Sequence, residues 1–543
     1  MFKRLADQLG KLLVRVGHAL DCVPFIVPVA LFLTLFVLSR WWFFADFPFP
    51  GVSPDSLTYW GVMQDWEAGR VPIFAVRPFA YPLFVRLTRL FTPDLLGLIG
   101  IQNILTAASC LTMIYAVQRV RPALSIFAAL AMAGWATCSL AIEHDTQVLS
   151  DTLYASSLVF AFAFVLLGLV IRRGWLFALA SFFMAWAILA KPAGLFLVVT
   201  FALLGAFMLW NRYSRREDLA FLIPLPVLLF LLALYNFLTI GVFTLSAFGE
   251  SNIAMATRTF WETDPAFPAN INMGIEKSDP LLALTARERE ILKSSWEPAE
   301  LQPLFHQGFS WNAYSEAVRV WSPVNANYTS EYAREWTRKV SFNAIQKHPE
   351  QYIKFVYTML AIYYWGVTPS QQLNLQYSVM ERAQNYLIDQ RFKWDSNGIY
   401  WQMFPTPKFS PSVTANIKAE TKNGKTEVTM ADTDAWRVFQ TLTQWRIRIF
   451  SNLWWVYAFF AVFLLAALRL LVSRFRHPGA LFLLMLTTAT IGASLIVALV
   501  EESLTRYSYV LMWTYYLAVV LSPLLFIPWR APTSNPRASN TEK

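Results

Sequence analysis

Ten apolar runs decide what this chain can fold into. Each is close to the roughly 20 residues that carry an α-helix across about 30 Å of hydrocarbon. They fall at 23–44, 96–117, 123–141, 150–171, 175–190, 193–211, 219–241, 449–472, 479–500 and 508–528. The bilayer core offers no water to a backbone N–H or C=O, so such runs cross as helices that satisfy their own hydrogen bonds. The expected fold class is therefore an all-α polytopic membrane protein. Hydrophobic residues make up 56% of the 543, against about half in a soluble domain. The 22 Trp suit a chain with many water–lipid crossings.

The short polar connections set the orientation. Arg119 and Arg121, Arg172 and Arg173, Arg212, Arg215 and Arg216, Arg474 and Arg476, and Arg530 and Arg537 all fall on the side of the basic start. That start carries Lys3, Arg4, Lys11 and Arg15. By the positive-inside rule this side is the cytosol, and both termini lie there. The net charge of +10 is then topogenic and does not point to nucleic acid. Residues 352–365 test the count, because a crossing there would put Arg474 and Arg476 outside. They are read as an interfacial or cavity-lining helix on the outer face.

This divides the chain into five parts. Residues 1–22 form an amphipathic cytosolic helix, retained because no cleavage site follows it. Residues 23–241 hold seven spans and a large first outer loop at 45–95. Residues 242–446 form an extracytoplasmic α/β insertion, with amphipathic helices at 284–296 and 327–348 and a helix at 433–448 leading into the next span. A hairpin is expected around Asn423-Gly424, where the flanking residues alternate. Residues 447–530 supply three more spans, and 531–543 is a disordered tail rich in Pro, Ser and Asn. Cys22, Cys110 and Cys138 have no metal-ligand spacing and read as small apolar fillers.

Cytosolic connections of a few residues cannot hold a nucleotide-binding domain, and the chain has no P-loop or dinucleotide-binding pattern. That argues against ATP-driven transport by this chain alone and makes nucleotide sugars a poor donor. Chemistry at the outer face then needs a substrate activated elsewhere and carried through the bilayer. A sugar on a lipid phosphate meets that requirement.

The first outer loop, SPDSLTYWGVMQDWEAGRVPIFAVRPFAYPLFVRL, carries the most chemistry. Asp55 follows the first span, Tyr59 comes one turn later, and Gly69-Arg70, Arg77-Pro78 and Tyr81-Pro82 lead to the second span. This run resembles the first extracytoplasmic loop of the GT-C glycosyltransferase superfamily. The likeness is nearest to the branch of protein O-mannosyltransferases and lipid A aminoarabinose transferases, and it covers mainly residues 25–240. The resemblance implies a multi-pass bacterial inner-membrane enzyme with a GT-C-like bundle of about ten helices and its active site on the periplasmic side. It implies Asp55 as the catalytic base, and the chemistry agrees, since an acceptor hydroxyl must lose its proton as it attacks. The plainer alternative is that Asp55 only caps its helix, S-P-D-S being a good N-cap sequence. Asp46 competes as the base. Arg77 matches the position that would hold the donor phosphate, where a guanidinium can take two oxygens at once, and Arg70 is a weaker candidate. Otherwise Arg77 is a snorkelling interfacial residue. Tyr59, Tyr81 and Tyr507 are the aromatic substrate-binding candidates.

Three more clusters follow. EHDTQVLSDTLYA packs Glu143, His144, Asp145 and Asp151 together, and Asp151 resembles the acidic residue that opens the fourth span in the family. These four could hold a divalent cation, the one cofactor the pattern leaves open, or form a solvated turn with Asp151 as a cap. Lys191-Pro192 interrupts an apolar stretch, where a lysine is costly unless it meets water or an anion; it is a second phosphate candidate or a plain turn. Arg506-Tyr507 recurs near the last span in the superfamily, with Arg506 as a third phosphate ligand or an ion-pair partner of Glu502. His348-Pro349 is read as structural, and Trp261, Trp321 and Trp365 as sugar platforms or core anchors.

The expected reaction is inverting transfer of a sugar from a polyprenyl-phosphate donor to a hydroxyl on a glycan, lipid or protein acceptor, with membrane lipid as a partner and no nucleic acid. The rival is a transporter or flippase of lipid-linked sugars, which would place its ionisable residues near the bilayer midplane. A non-catalytic, glycan-binding assembly partner is the third reading.

Overall fold

The computed structural model describes residues 21–526, apart from 75–76, 93, 247–248, 283, 309–310, 322–330, 366–374, 390–412, 414, 423–424, 451 and 501–504. Most of the expected helix at 1–22, the expected tail at 531–543, and Glu501 and Glu502 lie outside the described residues.

Among the described residues, eight helical stretches are long and apolar enough to cross a membrane: Ile26–Ala45, Leu95–Val120, Asp151–Ile171, Pro192–Trp210, Arg215–Ile240, Trp454–Val472, Pro478–Leu499 and Ser508–Leu525. The chain is thus an all-α polytopic membrane protein. The expected run at 123–141 is two helices, Pro122–Ala136 and Ser139–Asp145, bent by 69°. Thr137 and Cys138 make the bend. The Thr137 hydroxyl donates back to the Ala133 carbonyl, and the Cys138 Sγ accepts from the Ala141 N–H to cap the second helix. The expected run at 175–190 is the apolar helix Gly174–Ala190, 17 residues long and shorter than the eight stretches above.

Asp151–Ile171 sits in the middle of the bundle, with 78% of its apolar window buried, whereas Arg215–Ile240 is 28% buried and shows Phe230, Leu231 and Leu238 to the outside. Helices gain little from hydrophobicity when lipid surrounds them, so close approach depends on small side chains. Ala155, Ser156, Ala161 and Ala163 supply it in the central span, each almost fully buried.

The two ends of the bundle differ in charge. Arg172 and Arg173 follow the central span and Asp151 begins it. Twenty-one residues at about 1.5 Å each separate these ends by roughly 30 Å. At the arginine-rich end, Asp21 pairs with Arg121 at 2.7 Å, and the Asn211 amide donates to the Phe475 carbonyl at 2.8 Å. These contacts tie the first connection to the chain before the first span and the 211–216 connection to the 473–476 connection.

Between Arg215–Ile240 and Trp454–Val472, the described part of residues 249–365 forms helices around a separate core of Met255, Phe260, Trp261, Ile271, Tyr314 and Trp321. The expected helices appear as Ala286–Ser294, Glu331–Lys347 and Asp434–Phe450. Pro349–Trp365 is not among the candidate spans and packs beside Pro478–Val500. There the Tyr352 hydroxyl donates to the Leu499 carbonyl, and the Tyr364 hydroxyl bonds Ser494 Oγ, both at 2.7 Å. Among the described residues the only strands are the antiparallel pair Ile417–Lys422 and Lys425–Met430, with Lys422 opposite Lys425. That register leaves Asn423-Gly424 as the connection, itself outside the described residues.

Candidate active site

The chain leaving the first span is first pinned to the bent helix pair. The Gly51 N–H donates to the Thr146 carbonyl at 2.8 Å, and the Val148 N–H donates to the Gly51 carbonyl at 2.9 Å. A Cβ on Gly51 would stand 2.3 Å from Gln147 Cγ and 2.8 Å from Arg382 Cζ, so only glycine fits. The helix Pro54–Glu67 follows. Its N-cap is Ser53, joined to Ser56 in a reciprocal capping box with Pro54 in the first turn. The Ser56 hydroxyl also donates to the Val148 carbonyl at 2.6 Å. Because Ser53 does the capping, the Asp55 carboxylate is left for another partner. Gly69 closes the segment at φ +71°, a left-handed conformation that glycine takes without strain.

That partner is Arg77. Its Nη2 lies 2.5 Å from Asp55 Oδ1, and its Nε donates to Thr58 Oγ1 at 2.5 Å. The guanidinium lies over the Tyr59 ring, 5.0 Å from the centroid. The Tyr59 hydroxyl donates to Ser150 Oγ at 2.7 Å. Ser150 precedes Asp151, whose Oδ1 takes a 2.8 Å bond from Lys191 Nζ. Asp55, Arg77, Tyr59, Asp151 and Lys191 thus form one connected cluster at the bundle end opposite the arginine-rich connections. Burial pushes the Tyr59 hydroxyl above its ordinary 10, with Arg77 working against that rise, so the phenol stays protonated at neutral pH.

Reach differs within the cluster. The Asp55 and Arg77 side chains keep 31% and 19% of their exposure and Lys191 keeps 13%, while Asp151 keeps 3%. The first three can meet a ligand; Asp151 serves to hold Lys191. Lys191 reaches this place because Gly174–Ala190 ends at it and Pro192 starts a new turn. Ser150 is the N-cap residue of the central span and makes no side-chain cap bond, and Asp151 follows in the first turn, paired with Lys191.

Several expected site residues are placed elsewhere. Arg70 pairs with Asp65 at 2.7 Å on the surface, with 64% of its side chain exposed. It follows the glycine turn and points out of the cluster's hydrogen-bond path. Asp46 caps the end of the first span through its backbone N–H on the Trp42 carbonyl. Tyr81 is buried edge-on against Tyr59 at 4.9 Å, and its hydroxyl donates to Gln102 Oε1 at 3.0 Å. It supports Tyr59 from behind. Arg506 and Tyr507 open the helix Thr505–Leu521 at the cluster's end of the bundle; their side chains lie outside the described part of the structure.

The expected metal group does not converge. Asp145 is buried on Arg40 at 2.6 Å, with bonds from Thr106 and Thr152 hydroxyls at 2.9 and 3.1 Å. His144 stacks on Tyr509 at 4.4 Å. Glu143 pairs with Arg382 and accepts from Ser378 Oγ at 2.8 Å. Asp151 is on Lys191. The 69° bend explains the dispersal, because it turns Glu143, His144 and Asp145 back into protein where each meets a different wall. Among the described residues, no three or more His, Cys, Asp or Glu side chains are grouped so as to hold a metal ion.

Arg40, Arg382 and Arg446 were not legible as important from the sequence. Arg40 ties the first span to the bend through the Ala136 carbonyl at 2.5 Å and Asn103 Oδ1 at 3.1 Å as well as Asp145. Arg446 donates to the Gly134 carbonyl at 2.9 Å. Arg382 donates to Thr146 Oγ1 at 3.0 Å and to the Phe49 carbonyl at 3.3 Å, which clamps the segment leading to Asp55. Thr146 is 236 residues away from Arg382, and no local pattern marks such a pairing. No protein-family model, curated protein or solved structure matches this chain, so the resemblance read from Asp55, Tyr59, Arg77-Pro78 and Tyr81-Pro82 stands on those residues.

Proposed function

We propose that the chain is an inverting glycosyltransferase of the bacterial inner membrane, using a polyprenyl-phosphate sugar at the periplasmic face. The supporting observation is the linked pair of ion pairs, Asp55–Arg77 and Asp151–Lys191, joined through Tyr59 and Ser150. One carboxylate and two cations that a ligand can reach suit a reaction in which a hydroxyl is deprotonated and a phosphate departs.

The acceptor oxygen attacks the anomeric carbon and its proton passes to Asp55. The bond from that carbon to the phosphate oxygen breaks, and its electron pair leaves with the polyprenyl phosphate. Arg77 and Lys191 receive the charge on the departing phosphate. A guanidinium held against a carboxylate weakens that carboxylate as a base. Phosphate that draws Arg77 toward itself would return basicity to Asp55, so donor binding would prepare the base. Tyr59, fixed by Ser150, keeps Arg77 over its ring and limits the directions the guanidinium can take.

The position of the cluster at one end of the bundle, with no part of it at mid-span, favours this reading over a transporter. The resemblance implies the same chemistry. The test is turnover of purified protein with a panel of radiolabelled polyprenyl-phosphate sugars and mixed envelope acceptors. Transfer that is lost in Asp55→Asn, with folding retained, supports the reading. Absence of transfer with every donor, or transfer unchanged in Asp55→Asn, refutes it.

A further inference from the structure

The helical region at 249–365 encloses a cavity of about 610 Å³ that shares no lining residue with the Asp55 cluster. Its size lies within the roughly 300–1,000 Å³ of ordinary small-ligand sites. Trp261 gives it a rigid aromatic wall. The indole is stacked on Trp321 at 5.6 Å, its Nε1 donates to Thr257 Oγ1 at 3.0 Å, and the Arg258 guanidinium lies 4.9 Å from its ring.

Around that wall Asp279 and Glu262 come paired, and Glu276 and Lys293 add one charge of each sign. Arg289 Nη2 lies 3.1 Å from Asp279 Oδ2, and His348 Nε2 lies 3.1 Å from Glu262 Oε1. Behind Asp279 stands Arg258, fully buried, 3.9 Å from its Oδ1. Arg258 is held by Ser278 Oγ at 2.5 Å, while its Nε and Nη1 make no hydrogen bond among the described residues. Burial brings the Arg258 guanidinium down to about 10, so it remains a cation at neutral pH.

Such a wall is selective by its balance. The carboxylates repel an anion, and the cations beside them repel a metal ion or an amine. Paired acids and bases instead offer fixed acceptors next to fixed donors, which is what a row of hydroxyls needs. The rim of the indole that borders the cavity offers an apolar contact to the C–H groups of a sugar ring.

We infer that this cavity binds a neutral, polyhydroxylated glycan through Trp261 and the Asp279–Arg289 and Glu262–His348 pairs. Resting on the glycosyltransferase reading, its role is to hold the non-reacting part of the acceptor. His348, which the sequence suggested was only structural, would then be a ligand-contacting residue.

Saturation-transfer NMR on the full chain in nanodiscs tests this, with cellobiose, mannobiose and N,N′-diacetylchitobiose as probes. Transfer to at least one disaccharide is expected. Glu262→Gln and Arg289→Gln, on side chains 58% and 37% exposed, keep the core intact and should each weaken binding by about tenfold, or 1.4 kcal/mol. Trp261→Ala should abolish it. Asp55→Asn should leave it unchanged. No transfer from any probe overturns the inference, as does equal transfer in both Gln variants. Glycan binding without turnover on any donor would sink the catalytic reading and keep the cavity. Turnover without glycan binding would do the reverse.

Discussion

Glu143 and Arg382 form a buried ion pair, each side chain 6% exposed, and its two halves should be far more costly to break than to remove. Glu143→Leu leaves a guanidinium in the protein interior whose acceptors among the described residues are Thr146 Oγ1 and the Phe49 carbonyl. Arg382→Met leaves a carboxylate facing Ser378 and Gln147 alone. Either orphaned charge costs about 3–5 kcal/mol. If the two effects added, the double variant would lose about 6–10 kcal/mol. The double variant strands no charge, however. It gives up the two hydrogen bonds from Arg382 to Thr146 and Phe49, at about 0.5–1.5 kcal/mol each, and regains some apolar packing. A loss of about 1–4 kcal/mol is therefore expected, and a coupling energy of several kcal/mol. Equilibrium unfolding by SDS titration of all four proteins in mixed micelles reads this cycle. Additivity within about 0.5 kcal/mol would refute the pairing. The same variants carry a functional signature. Arg382 braces the segment that delivers Asp55, so turnover in the singles should fall by more than the loss of folded protein explains.

Four further outcomes follow from the site and its supports. Asp55→Asn should reduce transfer by about 10²–10⁴-fold with the unfolding midpoint unchanged, because Ser53 rather than Asp55 caps the helix; a large stability loss would restore the capping role. Arg77→Lys keeps the charge and loses the planar fork over Tyr59 and the bond to Thr58, so the KM for donor should rise about tenfold or more with folding intact. Gly51→Ala should destabilise by about 1–3 kcal/mol and lower turnover, since its new methyl meets Gln147 and Arg382; a silent substitution would show that the segment moves freely. The Asp264 carboxylate is held below its ordinary 3.8 by the hydrogen bond from Lys347 and by the Ala266 N–H. A depressed carboxylate stabilises fully above its unfolded value and loses that contribution as pH falls through the lower folded value. Thermal midpoints measured from about pH 5 down to pH 2 should thus fall more steeply for the native chain than for Asp264→Asn.

The membrane architecture was readable because apolar length and arginine placement are one-dimensional signals. A 26-residue run such as Leu95–Val120 declares itself without its neighbours. The run at 123–141 shows where that reading stops. Hydropathy sees continuous apolar residues, while the Cys138 cap and the Thr137 back-bond turn the chain by 69°. The bend then decides the chemistry, because it directs Glu143 to Arg382 and Asp145 to Arg40 and so scatters an acidic motif that looked like a metal site. The Asp55 pairing was legible in part. A carboxylate and an arginine 22 positions apart in one loop face limited alternatives, and the capping box that frees Asp55 is written in Ser53 and Ser56. Lys191 meeting Asp151 was visible only as two separate costs, each a charge at a span end with no stated partner. One physical rule unites the successes and failures. In a low-dielectric bundle every charge must find an opposite charge or water. The sequence tells how many such charges must be satisfied, and the fold alone tells which pairs remain within reach of a ligand. Asp55–Arg77 remains so, and Arg40–Asp145 and Arg382–Glu143 do not. The proposed reaction would therefore depend on the exposed pair directly and on the two buried pairs only through the geometry they enforce.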